Sequence, residues 1–135
     1  GTVTNLTGLS NGAVRDPEIS PDGTKVLFSM RKSTREKWQI HEMDVNGANL
    51  RTISKDANIN DVDPTDLSDK KIIFVSDRLT WREQYKNTVT GQLYTMDTDG
   101  SNIKQFSNHP GGPPSIIRWY DFFLSVGYSF FPRTL

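Results

Sequence analysis

An all-β fold built from four-stranded antiparallel units is predicted by three observations. One sequence unit occurs twice, each copy carries Gly-centred turn signals at matching places, and no segment shows a sustained helical period. "RDPEISPDGTKVLFSM" followed by "WQIHEMDVNGANLRTIS" returns as "VDPTDLSDKKIIFVSDR" followed by "GQLYTMDTDGSNIKQFS". Asp16-Pro17 matches Asp63-Pro64, Phe28 matches Phe74, Met43-Asp44 matches Met96-Asp97, and Gly47 matches Gly100. The opening residues "GTVTNLT" fit the unit's closing segment, with Leu6 in the place of Ile53 and Phe106. The spacing of those three residues is 47 and then 53, and the excess falls in the loop 79–91.

Each unit reads as four short strands. The first lies around Glu18 to Ser20, and Pro21-Asp22-Gly23 then supplies a preset φ at Pro and a residue free to take positive φ at Gly. Lys25 to Met30 is a nearly continuous apolar run rich in β-branched and aromatic residues, the pattern of a strand covered on both faces. Trp38 to Val45 makes the third strand. Asn46-Gly47, like Asp99-Gly100, is a two-residue signal for a tight hairpin into the fourth, Asn49 to Ser54. Four antiparallel strands repeating every 40 to 50 residues mark a β-propeller blade. The fold class is therefore all-β, a partial β-propeller. Its expected organisation is a closing strand and linker over 1–13, a blade over 14–54, a second blade over 55–110 with its long loop at 78–91, and an atypical tail over 111–135.

The segments "DPEISPDGTKVLFSMR", "IHEMDVNGANLRTIS", "FVSDR" and "LYTMDTDGSNIKQFS" resemble the WD40-like propeller repeats of the TolB type. That pattern runs from a Pro through a Ser-Pro-Asp-Gly turn and an apolar strand ending near Ser-x-Arg to Ile-Tyr-x-Met-Asp, a Gly turn and Leu-Thr. Two positions depart from it: Ser68-Asp69-Lys70 replaces the first turn in the second copy, and His41 stands where the pattern, and Tyr94, have Tyr. The resemblance implies a bacterial, periplasmic or otherwise extracytoplasmic propeller acting as a docking surface for a protein partner. Similar blades form the non-catalytic propellers of prolyl-oligopeptidase-type peptidases and of haem-bearing redox assemblies. A closed ring takes about four to eight blades, so two blades and one closing strand read as a piece of a longer protein.

Composition narrows the function. Sixteen basic residues balance sixteen acidic ones, which leaves no net field to draw the 135-residue chain to nucleic acid or an anionic membrane. The absence of cysteine excludes disulfides, zinc-thiolate sites and thiol catalysis within these residues. The most apolar tract, Ile116 to Phe131, is broken by Arg118 and Asp121 and falls short of the roughly 20 residues that span a bilayer. No cofactor is expected, and no membrane insertion.

Several motifs invite a chemical reading. Gly8-Leu9-Ser10-Asn11-Gly12 matches the G-x-S-x-G nucleophile elbow, which needs a strand before it, a helix after it and a histidine beside it. Here it joins two blades, and only His41 and His109 are available as bases. Asp97 to Asn102 resembles the opening of a calcium loop, but its glycine stands fourth rather than sixth and no glutamate stands twelfth. Asp44 to Asn49 repeats it, so the hairpin accounts for these residues. Asp61, Asp63, Asp66 and Asp69 form an acidic group, yet Asp63-Pro64 is the repeat's own opening step. Catalytic and metal-binding residues are therefore expected to be absent. Asn5-Leu6-Thr7 is formally a glycosylation acceptor placed in an expected strand.

The loop "RLTWREQYKNTVTG" offers a binding site instead. Arg78, Trp81, Arg82 and Tyr85 combine the aromatic anchors and arginines that interface hot spots favour, on the kind of loop that a rigid scaffold presents. The competing reading folds Trp81 back over its own blade. The matching loop "RKSTREKW" is shorter and basic and reads as solvated.

The tail "PPSIIRWYDFFLSVGYSFFPRTL" leaves the repeat. Read one nucleotide later, Ile117 to Phe123 permits Ser-Asp-Gly-Thr-Ile-Phe-Phe, with only the Gly forced, which is the opening turn of a third blade. The alternative is a native end whose Trp119, Tyr120, Phe122 and Phe123 cover the open edge of the second blade.

Overall fold

A computed structural model describes residues 1–67, 69–78 and 91–106. Eight strands follow in chain order: β1 Ala13–Ile19, β2 Lys25–Arg31, β3 Gln39–Asp44, β4 Arg51–Thr52, β5 Asp61–Leu67, β6 Lys71–Ser76, β7 Gln92–Asp97 and β8 Lys104–Gln105. They form two antiparallel four-stranded meanders, β1-β2-β3-β4 and β5-β6-β7-β8. The described residues contain no helix. This is the expected all-β pair of blades. Residues 1–12 carry no strand, and the expectations for Ser68, for 79–90 and for the tail lie outside the described residues.

The inner strand of each blade is longer than the sequence suggests. β1 starts at Ala13, before Asp16-Pro17, because the chain crosses that step as a β-bulge: Arg15 pairs Ser29 but Glu18 pairs Leu27. The second blade repeats the shift between Val62 and Thr65. Asp16 and Asp63 sit at φ 53° and 58°, a left-handed conformation that Asp tolerates better than most side chains. The recurring Asp-Pro thus marks a kink inside the strand rather than a boundary before it.

Turn chemistry follows from local hydrogen bonds. In the β1–β2 turn the Gly23 amide donates to the Ser20 carbonyl at 2.8 Å, with Gly23 at φ 73°. Asp22 Oδ1 accepts from the Ser20 hydroxyl and from the Thr24 amide and hydroxyl. Those donors hold its carboxyl down at about 2. In the second blade Lys70 takes the left-handed position, at φ 61°, without glycine's freedom. The β3–β4 hairpin is longer than the two-residue turn read from Asn46-Gly47. The Gly47 amide donates to Asp44 O and the Asp44 amide to Ala48 O, which makes a type I turn with Gly47, at φ 89°, in the bulge position. Asp97, Gly100 and Ser101 repeat that arrangement.

The core lies between the blades. Leu27, Ile40 and Ile53 of the first blade meet Ile72, Phe74, Tyr94 and Met96 of the second in one buried cluster. Phe28, Met30 and Met43 form another on the opposite face of the first blade, against Leu9 and Val26. Leu27, Phe28, Ser29 and Met30 are all buried, which explains the unbroken apolar run of β2. The turn glycines seat each blade on the segment before it. A Cβ on Gly100 would run into the Ile53 carbonyl, and one on Gly47 would press on Leu6 at 3.0 Å. Leu6 therefore holds Ile53's place against the turn, although no strand forms around it.

Candidate functional site

Of the four residues proposed for partner contact, Arg78 is described; Trp81, Arg82 and Tyr85 are not. The strand β6 ends at Ser76, and the chain turns Arg78 back toward the blade junction. Its Nη2 donates to both Asp61 oxygens at 3.0 and 3.1 Å, and its Nε donates to Ser76 Oγ at 2.9 Å. The guanidinium also stacks over Phe74 and Tyr94, 5.5 and 5.0 Å from the ring centres. Asp61 is fully buried, so this pairing compensates a desolvated carboxylate. Arg78 has its donors turned toward its own blade rather than toward solvent.

Asp61 leaves the acidic group in the same step. Its side chain faces Arg78, while Asp63 sits in the bulge and Asp66 further along β5. Among the described residues no three His, Asp or Glu side chains gather as metal ligands would. A carboxylate row does form across the two inner strands. Burial, then the charges of Asp66 and Asp63 against a hydrogen bond from Thr65, pushes the Glu18 carboxyl up. Burial and then Asp16 push Asp63 up, with Arg15 opposing. Burial followed by Glu42 and Asp22 does the same to Asp66. The fully buried Ser29 pins this row together: its hydroxyl donates to Asp16 Oδ2 at 3.3 Å and accepts the Asp63 amide at 3.0 Å.

A second joint closes the other end of the junction. The Asp61 amide donates to the Trp38 carbonyl, the Trp38 amide to Asn60 Oδ1, and Asn60 donates twice to Asp77, at 2.7 and 2.8 Å. Gln39 Nε2 reaches the carbonyls of Asp56 and Ile59 and staples the linker between blades. The Arg15 and Arg31 guanidiniums both lie over the Trp38 ring, 5.4 and 4.8 Å from its centre. Sequence reasoning missed Ser29, Gln39 and Asn60. A repeat comparison reveals residues shared by blades, whereas Ser29 and Asn60 differ from their counterparts Val75 and Ala13, and Gln39, matched by Gln92, shows its contact with the linker only in three dimensions.

The other motifs resolve into local structure. His41 and Tyr94 occupy equivalent positions, each with its ring centre 6.0 Å from that of its cross-strand Phe, stacked for His41 and tilted for Tyr94. His41 is buried, with Nδ1 bonded to Gln39 O and Nε2 to Thr52 Oγ1, both at 3.0 Å, so both ring nitrogens are occupied. Ser10 is exposed in a bend and no helix follows it. Asn5 caps its own turn, accepting from Thr7 and Gly8 and donating to Leu9 O. In the calcium-like loop, Asn102 donates to Asp97 Oδ2 as Asn49 does to Asp44 Oδ2, at 2.6 and 2.7 Å, which identifies a hairpin clasp.

No protein-family model matches the chain, and no curated protein does. Solved structures do. Two crystal structures of puromycin hydrolase, one a mutant complexed with PGG, align over 72% of this chain at TM-scores of 0.54 and 0.55 with 18% and 17% identity. The chain spans 14% of the length of each. Both neighbours are propeller proteins, and the likeness at this identity shows the fold: two adjacent, packed blades of a β-propeller.

Proposed function

We propose that these blades belong to a TolB-like propeller that serves as a non-catalytic docking scaffold for a protein partner in the bacterial cell envelope. One observation carries this reading: the side chains best suited to chemistry are engaged in structural contacts, within a blade or between the two. Arg78 is held by Asp61, Ser29 by Asp16 and Asp63, and His41 by Gln39 and Thr52. What remains for recognition is the loop carrying Trp81, Arg82 and Tyr85, with the aromatic and arginine content that partner surfaces use. The envelope location rests on the resemblance of the repeats to the TolB type.

A second reading has its own support. The solved neighbours are hydrolases of which this chain spans 14%, so the same blades fit the propeller portion of a larger enzyme whose active site lies outside residues 1–135. A peptidase or a haem-bearing redox complex would suit that role. The chain is expected to turn over no aminoacyl-amide or ester substrate, and Ser10→Ala is expected to change nothing. Hydrolysis abolished by Ser10→Ala contradicts the scaffold reading. A hydrolase domain or haem-attachment motif in the same open reading frame decides for the second.

A further inference from the structure

A cavity of about 190 Å3 opens on the first blade, between the β2–β3 loop and the segment after β4. Met30, His41 and Ser54 form buried walls, and Lys32, Lys37 and Lys55 border it from the exposed side. Among the described residues none of these three ammonium groups has an ion-pair partner, and the lysine pairs there are Lys25–Glu42 and Lys71–Asp97. Glu36 is the single acidic side chain in the lining. The loop that reads in sequence as simply solvated thus supplies one wall of a basic cavity.

We propose that this cavity binds the dianionic phosphoryl group of free phosphate or of a small phosphate monoester, neutralised by Lys32, Lys37 and Lys55 and hydrogen-bonded by Thr52 when His41 is protonated. Size and charge select this class. Drug-sized ligands occupy about 300–1,000 Å3, so the space suits a small group. Three lysines against Glu36, with His41 neutral, leave two positive charges for a dianion to match.

The hydrogen-bond directions supply the proton linkage. The Gln39 carbonyl only accepts, so Nδ1 of neutral His41 carries the hydrogen and Nε2 accepts from the Thr52 hydroxyl. In that state the Thr52 donor is spent. Protonation reverses the second bond: Nε2–H donates to Thr52 Oγ1, and the Thr52 hydrogen is released toward the anion. Burial, and then the Lys32 charge, hold His41 below its usual 6.5 while the cavity is empty. The other groups around it are Phe28 stacked from β2, Lys37 and Glu36 from the loop, and Lys55 beyond β4. An anion offsets the lysines, so anion and proton bind cooperatively.

The test is NMR of the His41 imidazole in the full chain, titrated with sulfate, inorganic phosphate and glycerol phosphate. Sulfate keeps its charge from pH 5 to 8, so its pH dependence reports the protein. The expected result is saturable sulfate binding that tightens about ten-fold from pH 7.5 to 5.5. Lys32→Gln/Lys37→Gln/Lys55→Gln loses saturation, while the control Arg35→Gln, outside the cavity lining, keeps it. Thr52→Val retains binding at pH 7.5 and loses the gain at pH 5.5. At pH 7.5, where both are largely dianionic, phosphate and glycerol phosphate bind as sulfate does, and tighter glycerol phosphate assigns the ester as the occupant. Shifts that rise linearly without saturating, or saturation surviving in the triple variant, overturn the site. A Thr52→Val variant that keeps the full pH gain overturns the proton linkage.

Discussion

Removing the Arg78 guanidinium strands the buried Asp61 carboxylate, and that cost exceeds the net worth of the intact pair. Arg78→Ala is expected to lower stability by about 3 kcal/mol in urea unfolding, and a neutral Asn at position 61 in the same chain is expected to recover part of it. The opposite sign is expected on the inner strands. A carboxyl raised in the folded state binds its proton more tightly there than when unfolded. Its contribution is therefore greatest below the ordinary value near 3.8 and is lost as pH rises through the folded value. Asp63→Asn removes that penalty in a left-handed position that Asn accepts, so stability at pH 7 should rise by about 0.5 kcal/mol. The gain should shrink toward zero by pH 3, read as the difference in melting temperature. Asp22 runs the other way. Its carboxyl is depressed to about 2, so the turn's contribution is present above 3.8 and fades as pH falls through 2. Asp22→Ala should lower the melting temperature at pH 7 and have little effect near pH 2. Individual roles such as these were poorly legible in the sequence. Asp61 reads as one of four clustered acids and Arg78 as a surface contact, because their pairing depends on which face each strand turns inward.

At the level of elements, the turns divide into those that need a glycine for φ alone and those that need its lack of a side chain as well. Gly23 has open space around an added Cβ, so Gly23→Ala should cost only the left-handed penalty, about 1 kcal/mol. Gly100→Ala adds a collision with the Ile53 backbone and should cost about 2 kcal/mol or more, with both variants compared by denaturant midpoint. Lys70 holds the left-handed place without glycine, so Lys70→Gly should stabilise the second blade by about 1 kcal/mol. Strand identity was legible here, since turn residues recur at fixed offsets. Boundaries were less so. Asp-Pro reads as a strand start because Pro lacks an amide, and only the bulge lets β1 and β5 run through it. Asn46-Gly47 reads as a two-residue turn because the signal does not show which amide closes the loop.

For the whole molecule, the repeat is the feature the sequence states most plainly, and the structure turns it into two blades whose shared face is the core. Function is divided differently from what the residue types suggest. Ser29 joins the blades, Arg78 and His41 are engaged within their own blades, and the loop at 78–91 carries the expectation of a partner. That division separates two variants sharply. Arg78→Ala should unfold more easily, whereas Trp81→Ala/Tyr85→Ala should melt like the parent chain and fail to hold its partner. The deciding measurement is quantitative capture of envelope proteins by the immobilised chain and by the Trp81→Ala/Tyr85→Ala variant, at a temperature where circular dichroism shows both folded. The scaffold account predicts a specific protein retained by the parent and reduced at least ten-fold with the variant. Equal retention by both, or a variant that melts as early as Arg78→Ala, contradicts it.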